Sequence, residues 1–348
     1  MLIVSGGTTE LGHERAGHPE RPERIAAAMA GVGDLHLGEE LEVLPAFVAG
    51  RAELARVHAP HYLDELAAFS ESGGGDVDPD TYATVDSWSA ARRAAGAGLV
   101  AIDALRRHND GVAFVAARPP GHHALRDRAL GFCLLNNIAV SAAALTDDGE
   151  RVLIVDWDVH HGNGTQAIFW DDPSVLYVST HQWPLFPGSG TAGEIGGRPA
   201  RGKTVNVPLP AGATGDVVRR AIVEVAGPVI DRFDPTWVLI SAGFDAHRSD
   251  PLADLALSSG DFADLAGLVA GFAPRPGRVM LFLEGGYDAA ALRASVAATL
   301  GRLLGGGDPP EPPTHGGSGA EAVERAGTEW AEAFQQAEQL DATEEAHP

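Results

Sequence analysis

The feature that most constrains this chain is a short apolar run that ends abruptly in reactive side chains. Val152-Leu153-Ile154-Val155 passes directly into Asp156-Trp157-Asp158-Val159-His160-His161-Gly162-Asn163-Gly164-Thr165. Four apolar residues without polar alternation, three of them β-branched, read as a strand buried on both faces. Such strands belong to parallel sheets covered by helices on each side. Side chains of an extended backbone alternate, so Asp156, Asp158 and His160 project together. Open α/β sheets bind ligands just beyond the carboxyl ends of their strands. Carboxylate oxygens and an imidazole nitrogen at that place suit a metal such as zinc. A polar turn after a buried strand is the plainer account of any one of these residues, but a poor account of the whole cluster.

The pattern recurs along the chain. Val112-Ala113-Phe114-Val115-Ala116 leads into Arg118-Pro119-Pro120-Gly121-His122-His123-Ala124, and Val175-Leu176-Tyr177-Val178 leads into Ser179-Thr180-His181. The run 237–242 leads into Gly243-Phe244-Asp245-Ala246-His247-Arg248-Ser249-Asp250-Pro251-Leu252, and the run 279–283 into Glu284-Gly285-Gly286-Tyr287-Asp288. Helical stretches are expected from about Asp86 to Arg107, Ile138 to Leu145 and Asp216 to Phe233. Strands alternating with helices argue for a parallel sheet with helices on both faces, and the fixed handedness of crossovers brings the strand ends to one rim. Adjacent His122 and His123 diverge too much to share a metal readily, but they suit proton transfer at one site. Gly131-Phe132 and Phe186 offer aromatic walls beside them. Leu54 to Phe69 has largely helical spacing, with His58 and His61 read as structural. The three glycines and one proline of Glu71 to Thr81 predict an irregular acidic loop, whose Asp76, Asp78 and Asp80 either reach a cleft or face water. Arg24 reads as a buried cation near a site or as half of a surface ion pair, the second being favoured by sequence alone.

The 348 residues suit one large α/β domain over 1–304, a Gly/Pro-rich linker over 305–319, and an amphipathic helix and tail over 320–348. That helix, with Val323, Ala326, Trp330, Phe334 and Ala337 along one side, would pack on its own domain or on a second subunit of a homo-oligomer. A formal net charge of −23 argues against direct nucleic-acid binding and would steer cationic ligands. No run approaches the ~18–20 apolar residues of a membrane span. Cys133 is the one cysteine, so no intrachain disulfide forms and a reducing, cytoplasmic setting is expected.

Taken together and in order, the motifs at 118–124, 131–137 (Gly-Phe-Cys-Leu-Leu-Asn-Asn), 156–165, 241–247 and 284–288 resemble those of the histone deacetylase superfamily. The group of class II enzymes, bacterial homologues and acetylpolyamine amidohydrolases is most similar. The likeness covers residues 13 to about 305. It implies the arginase–deacetylase fold, with about eight parallel strands, and a metal-dependent amidohydrolase acting on linear amides. By resemblance, Asp158, His160 and Asp245 hold zinc. His123 is the general base and acid, His122 an electrostatic partner, and Asp156 and Asn163 hold the two histidines. Tyr287 donates to the oxyanion. Gly131, Phe132, Phe186 and Leu252 line the substrate tunnel, with Asp80 at its mouth gripping substrate. A structural potassium ion is implied at Asp156, Asp158, His160, Ser179 and Thr180. Asn163, where class I members carry aspartate, points to the class II branch.

Two departures shape the expectation. Arginases carry a second metal-binding aspartate two residues after the position of Asp245, and His247 stands there, so a second metal is not expected. Polyamine-selective deacetylases carry a glutamate after the Asp-Pro, and Leu252 stands there. The leading expectation is a deacylase for N-acyl-lysine-like substrates, with a small-molecule acetylpolyamine amidohydrolase as the alternative. A non-catalytic regulator of the acetoin-utilisation type would be expected to lack a ligand, His123 or Tyr287, and all are present.

Overall fold

A computed structural model describes residues 1–7, 12–306 and 309–345. Eight strands form one parallel sheet: β1 (Leu2–Gly6), β2 (Leu41–Leu44), β3 (Val112–Ala116), β4 (Val152–Asp156), β5 (Val175–Gln182), β6 (Thr204–Leu209), β7 (Trp237–Ala242) and β8 (Val279–Leu283). Their spatial order is β2-β1-β3-β8-β7-β4-β5-β6, every pairing parallel.

Alternation along each strand splits the core in two. In β4, Leu153 and Val155 face one apolar layer, while Val152 and Ile154 face the other. Helices Glu23–Gly33, Ser259–Ala270 and Ala289–Leu303 cover the first face. Helices Pro60–Glu71, Ser87–His108 and Asn137–Asp147 cover the second. Each fully buried Val, Leu or Ile contributes roughly 1.5–3 kcal/mol of apolar burial. Double-sided burial is the physical reason for the unbroken apolar runs.

Two expectations change. The apolar spacing from Leu54 to Phe69 is not one helix: Arg51–Leu54 and Pro60–Glu71 are separate. Pro60 bars the helical conformation from the residue before it, and Ala59 is extended at φ −66°, ψ 135°. The acidic loop contains a two-residue antiparallel pairing, Gly75–Asp76 with Tyr82–Ala83. Segment 309–319 is hydrogen-bonded to the domain. The helix Ala320–Glu345 lies against β6: Val323 and Ala326 are buried, and Trp330 Nε1 donates to Thr204 O at 2.8 Å. It thereby covers an edge strand that would otherwise be open to pairing. Among the described residues, no helix is long and apolar enough to cross a membrane.

The turn ahead of Pro60 holds a buried histidine. His58 Nδ1–H donates to Leu125 O (2.9 Å), and Nε2 accepts from Asn136 N (2.9 Å), so only the neutral ring satisfies both partners. Burial lowers its pKa from 6.5 to about 4. Below 6.5 the unfolded chain takes a proton that the folded ring refuses. This stability is therefore complete above pH 6.5 and lost as pH falls toward 4. Denaturant titrations across that window should show a slope of up to about 1.4 kcal/mol per pH unit from this ring, absent in His58→Gln.

Candidate active site

Four neighbouring central strands, β3, β8, β7 and β4, deliver the chemically capable residues to one rim. Beyond β4, Asp158 is buried and His160 partly so; beyond β7, Asp245 is buried. One ligand atom from each of these three lies within 4.8 Å of the others. His160 Nδ1 is 3.1 Å from Asp158 Oδ1 and 3.3 Å from Asp245 Oδ2. Backbone amides fix both carboxylates: Gly285 N donates to Asp158 Oδ2 (2.8 Å) and Val159 N to Asp245 Oδ1 (3.0 Å).

These residues fit a divalent cation. Two carboxylates and one imidazole form a three-ligand set that leaves a position open. Asp245 Oδ2 is buried and has no hydrogen-bond partner among the described residues. The chain keeps the space clear: a Cβ on Gly285 would lie 1.9 Å from Asp245 Oδ2 and 2.7 Å from Asp158 Oδ2. Burial disfavours a charged His160, yet the flanking Asp158 and Asp245 push its pKa up to about 10. The two carboxylates concentrate negative charge at that point.

Beyond β3, the His122 and His123 rings lie with centroids 4.1 Å apart, tilted at 44° to one another. His122 Nδ1–H donates to Asp156 Oδ2 (3.0 Å) and His123 Nδ1–H to Asn163 Oδ1 (2.8 Å). Their pKa values are driven apart. Against burial, Asp156, Asp158 and Glu284 hold His122 well above the imidazole range. Burial, with His122 and His160 nearby, holds His123 well below it. A cationic His122 beside a neutral His123, its Nε2 lone pair free of Asn163, is the division expected of an acid–base site. Tyr287, beyond β8, is raised well above 10 by burial and by Asp245 and Asp158, with Arg24 opposing, so its hydroxyl stays a donor.

A cavity of about 370 Å³ lies over these groups, bordered by His122, His123, Asp158, His160, Gly285 and Tyr287. Gly131, Phe132, Phe186, Leu252 and Asp80, all expected at the tunnel, line it. Gly131 has φ +54°, and a Cβ there would lie 2.4 Å from the His123 ring. Phe132 is itself left-handed at φ +68°, an uncommon conformation for an aromatic residue and a mark of a constrained site. Phe186 meets the His123 ring edge-on at 5.1 Å, and Phe132 meets Tyr287 at 5.8 Å. The acidic loop divides: Asp76 pairs with Arg15 at 2.5 Å, Asp78 caps the turn through Asp80 N (2.8 Å) and Thr81 N (2.6 Å), and Asp80 reaches the rim. On β5, Ser179 stands opposite Asp156 in register and bonds His181 Nδ1 at 2.9 Å, with Thr180 buried beside it.

Residues 18–303 match the histone deacetylase domain. The chain belongs to the histone deacetylase family. It is similar to a histone deacetylase-like amidohydrolase of Pseudomonas aeruginosa, 39% identical over 295 residues covering 83% of this chain and 78% of that one. It is 40% identical over 314 residues to the polyamine deacetylase HDAC10 of Mus musculus, covering 84% of this chain and 46% of that protein. The crystal structure of the HDA15 HD domain superposes with a TM-score of 0.87 at 33% identity, over 100% of this chain and 99% of that chain. The fold is the arginase–deacetylase fold, and the protein is a hydrolytic deacetylase.

The candidate site also rests on contacts that sequence reasoning did not read. Arg24 is not on the surface; it is buried, donating from Nε to Gly286 O (2.7 Å) and from Nη2 to Glu284 O, with its guanidinium 4.8 Å above the Tyr287 ring. Its ion pair is with buried Glu20 at 3.4 Å, which Arg118 grips with two bonds of 2.6 and 2.7 Å. Glu284 accepts from the Gly121 and His122 amides at 2.7 and 3.2 Å, so β8 holds the backbone of the tandem histidines. Burial pushes Glu284 up to about 7. Asp250 accepts from Tyr287 N at 2.7 Å. His18, at the rim, bonds Asp80 O at 3.0 Å and meets Phe132 edge-on at 4.7 Å. The charges in Glu20, Arg24 and Arg118 were visible, but their burial depends on partners far away in the chain.

Proposed function

We propose that this deacetylase hydrolyses the amide of N-acetyl-lysine-like substrates with zinc at Asp158, His160 and Asp245. The observation that carries the reading is the convergence of those three ligand atoms beneath one cavity that Asp158, His160, His123 and Tyr287 line. When bound, zinc would supply Lewis acidity toward the acyl carbonyl and toward water. His123 Nε2 takes the proton of the attacking water and returns it to the departing amine. Its depressed pKa makes the return favourable, and Asn163 keeps the lone pair turned toward the substrate. His122, paired with Asp156, adds fixed positive potential. The Tyr287 hydroxyl donates to the oxygen that gains charge. Phe132 and Phe186 flank the methylenes of an extended arm and exclude water. Asp80 accepts from an N–H of the substrate at the mouth. The same reading assigns a structural potassium ion to Asp156, Asp158, His160, Ser179 and Thr180; the Asp156–Ser179 register supports it.

An acetylpolyamine is the second reading, favoured by the mouse relative's name and by Asp80 at the rim. Leu252, 36% exposed beside the cavity, weighs against it, because an ammonium group there meets an apolar side chain. The test is turnover of acetyl- and trifluoroacetyl-lysine peptides against acetylspermidine and acetylputrescine, with and without chelator. Peptide turnover abolished by chelator is expected; preference for the polyamines would overturn the lysine reading. Leu252→Glu should raise kcat/KM for acetylspermidine relative to peptide by about fivefold, the worth of one partly exposed ion pair near 1 kcal/mol.

A further inference from the structure

The family match ends at residue 303, yet the chain afterwards returns to the active-site side of the sheet. Segment 309–319 crosses the start of the helix Ser259–Ala270 and is pinned there. Ser258 Oγ donates to Pro312 O (2.8 Å), Thr314 Oγ1 to Asp261 Oδ2 (2.6 Å) and Gly215 N to Thr314 Oγ1 (2.9 Å). The approach is close enough that a Cβ on Gly260 would lie 2.4 Å from Glu311 O.

Glu311 does something the other pins do not. Its Oε2 accepts from Ser259 N (3.0 Å) and from His247 Nε2 (2.9 Å), and its Oε1 accepts from Arg248. His247 is buried, and its Nδ1 accepts from Ser249 N (3.1 Å). The ring proton therefore sits on Nε2, aimed at Glu311. One carboxylate thus ties a helix start to both His247 and Arg248 of the loop that follows Asp245.

That loop carries three groups of the site: Asp245 at its start, Asp250, and Leu252 at the cavity rim. Asp250 accepts from Tyr287 N through Oδ2 (2.7 Å) and from Leu252 N through Oδ1 (3.0 Å). Asp250 N donates to His247 O at 2.8 Å, so the position of His247 bears on Asp250 and through it on the Tyr287 backbone. We propose that Glu311, beyond residues 18–303 that match the histone deacetylase domain, is a positioning residue for deacetylation, holding the 245–252 loop through His247 and thereby the oxyanion donor. The proposal rests on the reading of Tyr287 given above.

The test uses the full chain as Glu311→Ala, Glu311→Gln and Thr314→Val. Thr314→Val removes a pin of the same segment without touching His247. Measured are kcat and KM on an acetyl-lysine peptide, zinc affinity by chelator competition, and melting temperature. Glu311→Ala should lower kcat about tenfold and move KM by less than about twofold, since a small displacement of a reacting group costs rate rather than capture. Glu311→Gln, whose carbonyl still accepts from His247 and Ser259, should recover most of that loss. Thr314→Val should lower melting temperature and keep kcat. Zinc affinity should hold in all three, because Val159 N fixes Asp245 independently. Wild-type kcat in Glu311→Ala, an equal kcat loss in Thr314→Val, no recovery in Glu311→Gln, or a collapse of zinc affinity would each overturn the positioning role. Wild-type kcat in Glu311→Ala beside an inactive Tyr287→Phe rejects this proposal alone; full turnover in both rejects the reading of the site as well.

Discussion

Tyr287→Phe is expected to leave a folded, zinc-binding protein whose turnover falls by about 10²- to 10³-fold. Loss of one preorganised oxyanion donor costs roughly 3–4 kcal/mol of transition-state stabilisation in a well-measured hydrolase. The phenol suits the task because burial and the neighbouring Asp245 and Asp158 keep it protonated, against the pull of Arg24. Its backbone is set by Asp250, and Arg24 lies over its ring, so removing the hydroxyl alone should disturb little else. The loss should therefore appear in kcat, with KM and zinc affinity near wild type. Near-normal kcat on an acetyl-lysine peptide would remove Tyr287 from the mechanism.

The second large effect is expected at Asp245. Asp245→Asn keeps the acceptor for Val159 N but removes the charge from an oxygen without a hydrogen-bond partner among the described residues. Zinc affinity should drop by at least about 10², comparable with the larger losses seen when a site's supporting shell is altered. Turnover should fall by about 10³ or more, since the polarisation the ion supplies is worth several kcal/mol. The metal-free protein should be at least as heat-stable as the metal-free wild type, because burial and Asp158 both make a charged Asp245 costly there. Adding zinc should raise the melting temperature of the wild type and not of the variant. Isothermal titration and melting curves with and without zinc decide it; equal zinc affinity in the two proteins would mean the ion is held elsewhere.

The parts legible in the sequence share a property: their signal is local. An unbroken apolar run marks a strand buried on both faces wherever it sits, so all four strands bearing the main motifs, and β5, could be read without knowing their neighbours. The motif residues following those runs, from His122 to Tyr287, lie together at the site because strand ends of a parallel sheet share a rim. The helix reading from Leu54 to Phe69 failed for an equally local reason, the conformation that Pro60 imposes on Ala59.

Arg24 and Glu311 carried no such signal, and the strand-end positions of Glu284 and Asp250 did not show which groups they hold. A charged side chain is expected in water until a partner takes it out, and each partner here lies on a distant segment: Gly286 for Arg24, Gly121 for Glu284, Tyr287 for Asp250, His247 for Glu311. By itself the sequence determined the sheet, its two-sided burial and the residues at its reactive rim, because periodicity and residue chemistry act over a few positions. The order β2-β1-β3-β8-β7-β4-β5-β6, the buried charges behind Tyr287 and the return of the chain through Glu311 were decided by tertiary structure alone. Their free energy depends on desolvation and on partners brought together only when the chain is packed.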